Sequence, residues 1–403
     1  MPGVRQPVWL TPDEVPPLPA GWTALPTAEA CIQLKPGKLF DSKTVFPVGR
    51  VPVLNQSESG ALGFHDEIPG VDASPNEPVV TFANHTCAVR LMKEPFSVIQ
   101  NIFPKVGKPG LTDTVYFYYA SLGRVSLTDY KGHHPTFRQA HIPIPPLPVQ
   151  RRIAGILSAY DDLIENSHRR IKILESMARA LYREWFVHFR FPGHENHPRV
   201  ASSLGSIPNG WEARTLGDVI TYSRRATKPG PHLEDRRYVP IDCLPPNSLA
   251  LLEVKPIEEA QSSLQLFEKG DILFGAMRPY FHKVVVAPFS GVTRSTCFVF
   301  KPVQPEWHSF ATITAFDEAT VAYANAHSQG ATIPYAVWDG SLSEMPLVLP
   351  STEVLQRFEV VVAPMLSQLA QSFFVLGNLR RTRDLLLPRL LSGQIELDEL
   401  EAA

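Results

Sequence analysis

From Ile153 the chain repeats apolar residues in strict 4,3 alternation: Ile153, Leu157, Tyr160, Ile164, Ser167, Ile171, Leu174, Ala178, Leu181, Trp185, with Ser167 the single polar interruption. That average spacing of 3.5 residues is a coiled-coil seam, so the segment must fold as a helix whose one apolar stripe has to be covered. The alternation returns at Phe358, Val362, Met365, Leu369, Ser372, Leu376, Leu379, Arg383, Leu386 and Leu390, each 205 positions after its counterpart, and Ser372 falls on Ser167. Each helix is on the order of 50 Å long at 1.5 Å per residue. Neither is stable with its stripe in water. Because a globular segment lies between the end of one and the start of the next, antiparallel pairing is the economical way to cover both.

A second echo accompanies the first. LPAGW (18–22) and IPNGW (207–211) share an apolar-Pro-x-Gly-Trp phrase at an offset of 189, so the second half carries 16 more residues between its Trp and its helix. Between these landmarks lie Pro- and Gly-rich stretches with short β-branched or aromatic runs, such as PVVTFA, TVYFYYA, DILFGA and CFVFKP, which read as strands joined by tight turns. The fold class is therefore mixed α/β: two α/β domains separated by two long helices that form an antiparallel coiled coil, an internal repeat with pseudo-two-fold symmetry. The domains fall at 1–145 and 206–350, the helices at 146–192 and 351–403, with a linker at 193–205. Pro192 and Gly193 stop the first helix, and Gly393 offers a left-handed cap to the second. Two heads on a rigid rod form a caliper, the geometry with which proteins read DNA half-sites about 34–36 Å apart.

Composition narrows the class only loosely. A chain of 403 residues, 44% hydrophobic and 19% charged, is that of an ordinary globular protein. No uninterrupted apolar stretch of membrane-spanning length is evident, and MPGVRQPVWLTPDEVPPLP lacks the basic head and apolar run of a signal peptide, so a cytoplasmic protein with no membrane partner is expected. Cys31, Cys87, Cys243 and Cys297 are scattered without a C-x-x-C pair, which argues for reduced core thiols rather than disulfides or zinc. A net charge of −2 means that any nucleic acid must be held by local patches.

Several phrases resemble the DNA sequence specificity subunits of type I restriction-modification systems. They are IPIPPLPVQRRIAGILSAYDDLIE (142–165), LYREWFVHFRFPG (181–193), SIPNGWEARTLGDV (206–219) and LLLPRLLSGQIEL (385–397). Within the domains, VPVLNQSESGALGF (51–64), PVVTFANHTCAVRLMKEPFSV (78–98), GDILFGAMRPYFHKV (270–284) and SQGATIPYAVWDGSLSEMPLVLP (328–350) are similar to recognition segments of the same family. The second helix departs from the family at its approach, LPSTEVLQRF, which lacks the usual Pro-Pro-Leu. The resemblance implies that each α/β domain is a target-recognition domain reading one half of a gapped double-stranded DNA site. The helices set the gap and dock two methyltransferase subunits and, in a cleaving complex, two restriction/translocase subunits. Such a chain is not an enzyme and binds no cofactor: S-adenosylmethionine, ATP and Mg belong to the partners.

The residues agree with that division. The chain has no G-x-x-x-x-G-K-[ST] phosphate loop and no F-x-G-x-G cofactor loop, and LPPNS (244–248) has the wrong order for a methyltransferase motif. One enzymatic alternative is a metal-dependent nuclease, with Asp242, Glu253 and Lys255 in the loose P-x-D…E-x-K pattern that can hold Mg²⁺. A coiled-coil scaffold that touches no DNA is the other. His194, Glu195 and His197 could suggest a metal, but lie in linker sequence without a ligand scaffold.

Base reading favours Arg, Asn and Gln, while Lys and Arg hold phosphates. The second domain offers Arg224, Arg225, Lys228, Arg236 and Arg237 on a Pro/Gly-rich loop, then Arg278, Tyr280, Lys283 and Arg294. The first offers Lys35, Lys38, Lys43, Arg50, Asn55, Gln56, His85, Lys105 and Lys108. Docking is expected on the outer face of the first helix, at Arg151, Arg152, Arg169, Arg170, Lys172, Asp161, Asp162 and Glu165, with Trp185 and Phe186 as exposed apolar contacts.

Overall fold

The computed structural model describes residues 17–127 and 132–395. The stretch 1–16, most of the segment read for a leader, and residues 396–403 of the tail lie outside them. The chain divides into two compact units, Met1–Leu163 with Arg380–Ala403, and Ile164–Leu379. The division falls inside the two long helices, Leu147–Tyr182 and Thr352–Leu391, because helix side chains complete the core of each unit.

In the first unit an antiparallel sheet runs in the spatial order Cys31–Gln33, Ile102–Gly107, Val79–Ala83, Val89–Met92. A second sheet sets Val51–Leu54 between Ala61–His65 and Ser97–Val98. The helix Thr114–Ser121 is capped by Asp113, whose carboxylate accepts from the Val115 and Tyr116 amides. Its Tyr116 and Phe117 join Val80, Phe82, Phe137, Ile142 and Ile144 in a core that also takes Ile153 and Leu157 from the first long helix and Leu387, Leu390 and Leu391 from the second. Gln150, wholly buried, fastens the start of the first helix to this domain. Its amide donates to the Leu111 and Pro145 carbonyls at 2.9 and 2.7 Å, and its oxygen accepts from the Asp113 amide at 2.8 Å.

In the second unit one antiparallel sheet is ordered Ile220–Tyr222, Cys297–Pro302, Ile272–Gly275, Val284–Val286. Another is ordered Ala226–Thr227, Leu264–Phe267, Gly291–Arg294, Arg237–Tyr238, its last pair parallel. The helices His308–Phe316 and Glu318–Ala326 follow. The core joins Phe274, Phe298, Phe300 and Phe310 to Ile171, Ala178 and Trp185 of the first long helix and its π-helical extension, Arg183–Val187, and to Phe358, Val362, Leu369 and Leu376 of the second. A buried carboxylate ties helix to domain here as well: Glu175 accepts from the Ser248 hydroxyl at 2.6 Å and the Leu249 amide at 2.8 Å. Burial pushes its pKa up, against the pull of those hydrogen bonds.

The two Gly-Trp phrases adopt one local arrangement. Gly21 and Gly210 are left-handed, with φ of 83° and 81°, and the Trp22 and Trp211 amides each donate to the proline three residues back at 3.1 Å. In each unit the strand that follows pairs antiparallel with the strand preceding a long helix, Thr23–Pro26 with His141–Ile144 and Glu212–Thr215 with Pro346–Leu349. Each Trp packs at a helix end. Trp22 lies beside Gly393, whose φ of 70° favours glycine and where a Cβ would collide with Pro19. Trp211 stacks on Phe191, with Phe186 tilted against it and Phe189 edge-on.

Three expectations need revision. Residues 193–205, assigned as linker, hold the strand Arg199–Ser202 and the start of its hairpin partner Gly205–Pro208. The second helix is long and apolar enough to cross a membrane by length and composition, with buried seam residues such as Val362, Leu369 and Leu376 and exposed ones such as Val360 and Val375 both contributing. Asp161 does not face outward: it accepts from the Tyr119 hydroxyl and from Arg383 Nη1, both at 2.6 Å, within the first unit. All seam positions on both helices, Tyr160, Ile164, Leu174, Leu181, Met365, Leu379 and Leu386 included, are buried or half-buried. The four cysteines are free and buried.

Arg383 is a buried cation on the seam that also donates to Asp384 at 2.8 Å, so Asp161→Ala removes one of its two carboxylates and the acceptor of the Tyr119 hydroxyl, and is expected to destabilise the first unit by about 1–3 kcal/mol. Adding Arg383→Met should recover most of that loss, measured by urea unfolding followed by circular dichroism.

Candidate nucleic-acid interface

Most of the second unit's basic segment is exposed, but its cations differ in how they are held. Arg224 lies over the Tyr222 ring, 4.7 Å from its centroid, and pairs with Asp339. Arg225 pairs with Glu268 at 2.6 Å. Both are surface pairs, worth about 0–1 kcal/mol, and so can exchange their carboxylate for a phosphate. Lys228 is exposed. Arg236 is half-buried with a buried Nη1. Arg237 is a brace: its guanidinium lies 4.8, 5.1 and 5.6 Å from the Phe289, Phe373 and Phe374 rings, which ties the end of the loop to the second long helix.

Two of the segments that resemble recognition elements meet next to this loop. The Arg278 amide donates to the Pro334 carbonyl at 2.8 Å, and Gln329 and Tyr335 exchange backbone bonds that close a tip of exposed residues. The Tyr335 hydroxyl reaches the Ser295 carbonyl at 2.5 Å, beside exposed Arg294, whose Nη2 lies 3.5 Å from the Ser262 hydroxyl. Arg278, Tyr280 and Arg294 are exposed, and so are Phe281 and Ile333, which sequence reasoning did not single out. Their signal was an apolar residue at each loop tip, PYF and ATIP. Lys283 differs from expectation: its ammonium is spent on the Ile241 carbonyl at 2.9 Å.

In the first unit Lys35, Lys43 and Lys108 are exposed, and so are Lys38, paired with Glu67 at 2.6 Å, and Arg50, which donates to the Asp66 carbonyl at 2.9 Å. Phe46 and Val48 stand in solvent between Lys43 and Arg50. The remaining candidates are structural. The Asn55 side-chain oxygen accepts from Ser57 and Arg90, and the Gln56 amide donates to the Gln100 and Asn101 carbonyls while its oxygen takes the His85 amide. His85 Nε2 faces the Asn101 amide at 3.2 Å. Lys105 is 2% exposed, its ammonium 3.1 Å from both Gln33 Oε1 and His134 Nε2, and burial pushes its pKa down. A lysine on a central strand among Phe103 and Phe137 cannot reach a phosphate.

The enzymatic alternative finds no site. Lys255 pairs with Glu259 at 3.4 Å, and among the described residues no group of three or more His, Cys, Asp or Glu is arranged to hold a metal, at Asp242 and Glu253 or at His194, Glu195 and His197. The expected docking face also changes. Trp185 and Phe186 are 7% and 6% exposed, packed on Phe358, so they do not require a partner to cover them. Asp162 pairs with Lys93, and Glu165 with Arg169. Arg151, Arg170 and Lys172 remain exposed and Arg152 half-buried. On the long helices within the second unit, exposed large apolar residues include Ile173 and Met177 on the first and Val360, Val361, Phe374 and Val375 on the second.

Residues 32–176 match the family model of the type I restriction modification DNA specificity domain. The specificity subunit of the type I restriction enzyme MjaIX from Methanocaldococcus jannaschii is 25% identical over 341 residues, 77% of this chain and 76% of that protein. The MjaVIII specificity subunit from the same organism is 33% identical over 84 residues, only 21% of this chain and 19% of its own length. Among solved structures, the S subunit of a type I restriction-modification system from M. genitalium shares the fold with a TM-score of 0.62 at 15% identity, over 95% of this chain and 99% of that one.

The Lys105–His134 contact sets a pH response. Burial, then the nearby Lys105 and Arg138 charges, push His134 down to about 4. The folded state therefore binds fewer protons than the unfolded state between about pH 6.5 and 4. Its stability is complete above that window and falls by on the order of 2 kcal/mol as pH drops through it. Thermal unfolding of the parent and of His134→Gln across pH 4–7 should show a shallower slope in the variant, the remaining slope coming from groups such as buried His282, whose pKa burial also pushes down.

Proposed function

We propose that this chain, which belongs to the type I restriction-modification DNA specificity family, reads a two-part DNA target and supplies no chemistry of its own. One observation carries the reading furthest. The same frame of Gly-Trp turn, strand pair and long helix occurs in each unit, while the α/β domain built on it differs. A common mount with unlike heads suits the reading of two unlike half-sites. Within the first unit the start of the first helix packs on the end of the second, and within the second unit the later part of the first packs on the beginning of the second. That packing supports an antiparallel pair, whose length then fixes the unread gap.

The target-recognition domains are taken as 1–145 and 206–350. Arg224, Arg225, Lys228, Arg278 and Arg294 are the DNA-facing cations of the second, and Lys35, Lys43, Lys108 and Arg50 those of the first. Two methyltransferase subunits carrying S-adenosylmethionine would dock on the helices, and a cleaving complex would add restriction/translocase subunits with ATP and Mg. Such assembly raises affinity, because each half-site then binds at high effective concentration.

Selection of duplexes from a random-sequence library by the assembled complex tests this. A single gapped, two-part sequence should be enriched, and exchanging residues 206–350 for those of another family member should change one half only. Enrichment of no two-part sequence contradicts the reading. Arg278→Ala or Arg294→Ala should relax base choice within that half by about 1–3 kcal/mol. Lys228→Ala should instead weaken all sequences alike and reduce the salt slope by about one.

A further inference from the structure

The turn Pro279–Phe281 holds two aromatic rings in water. Tyr280 is 51% and Phe281 46% exposed, with ring centroids 4.7 Å apart. A well-packed domain has little reason to leave two adjoining rings outside unless something covers them. The backbone here is also held in an unfavourable form: Arg278 and His282, which bracket the turn, are both left-handed, with φ of 51° and 50°. Buried anchors enforce it. Pro279 and His282 are buried, the His282 ring lies 2.7 Å from the Phe316 carbonyl, and the Arg278 amide is bound to the Pro334 carbonyl. The rings are therefore presented rigidly, on a fixed base.

The surroundings select the occupant. Arg278 starts the turn, and the hairpin bonded to it leads through Tyr335 and Ser295 to Arg294, so guanidiniums lie on the hairpin side of the turn, while its other side packs on the helix Glu318–Ala326, where Asp317 and Glu318 approach His282. A rigid apolar projection that starts from a cation is a form that enters a DNA base step, the cation holding a phosphate while the rings replace the lost stacking. We propose that Tyr280 and Phe281 form a wedge that inserts at one base step of the half-site read by the second unit and unstacks it. This rests on the DNA-reading function proposed above and deepens it, since an unstacked step lowers the cost of extruding a neighbouring base to a partner enzyme.

The test uses the full chain in its assembled complex and the duplex recovered by library selection. Tyr280→Ala with Phe281→Ala should bind the fully paired duplex about 10- to 100-fold more weakly than the parent. A series of duplexes with one mismatch walked across that half-site should contain a position at which the variant binds within about threefold of the parent, because the unstacking is already done. Tyr280→Phe, which keeps the ring, should bind as the parent does. The single variants Tyr280→Ala and Phe281→Ala serve in place of the double variant if its thermal unfolding is lowered. Equal weakening on paired and on every mismatched duplex overturns the wedge, as does no weakening on the paired duplex or a loss in Tyr280→Phe. If the parent complex itself prefers no duplex, the DNA reading falls, and the wedge with it.

Discussion

Each long helix carries an apolar stripe that water cannot be allowed to cover, and the rest of the structure follows from where those stripes go. In the first unit Ile153 and Leu157 share one core with Leu387, Leu390 and the α/β domain; in the second, Ile171 and Ala178 share another with Phe358, Val362 and the sheets. At about 1.5–3 kcal/mol for each fully buried aliphatic or aromatic side chain, these positions weigh more than any polar contact at the same junctions. The helices are thus parts of the domains' interiors rather than rods attached to them. The polar groups that accompany the burial, Gln150 and Glu175, both on the first helix, are bonded to backbone at several points and tie that helix to the domain beside each of them.

Rigidity of this kind suits a reader of DNA, whose loops must hold base-reading groups within fractions of an ångström. The charged side chains sort accordingly. Arg224 and Arg225 sit in surface ion pairs that a phosphate can displace at small cost, whereas Lys105 and Arg383 have given their charge to the interior. Net charge says nothing of this arrangement, because the basic loop is offset by carboxylates elsewhere.

Much of the architecture was legible because helical periodicity is a strong signal: a 4,3 stripe kept over ten positions has one structural meaning, and its recurrence 205 residues later marks a repeat. The Gly-Trp phrases were legible for a similar reason, since a left-handed glycine before a buried Trp is a local requirement. The interface was legible only in part. Residue type singled out Arg278 and Arg294, which are exposed, but it also selected Lys105, Asn55 and Gln56, whose polar ends bond within the first unit. Sequence cannot tell which face of a strand or loop a polar residue occupies when the domain's alternation is irregular. Asp161 shows the same limit on a helix: it borders the seam, and Arg383 and the Tyr119 hydroxyl together draw it in. The hairpin at 199–208 was hidden because Pro, Gly and Ser make both linkers and tight turns.

The central claim, that this chain selects the DNA sequence on which its partners act, is tested most directly by mapping modified bases across the genome of cells that carry its methyltransferase partner, with and without the chain. The account predicts adenine methylation at a single gapped, two-part sequence that disappears when the chain is absent. A methylation pattern that is unchanged by its removal would contradict it.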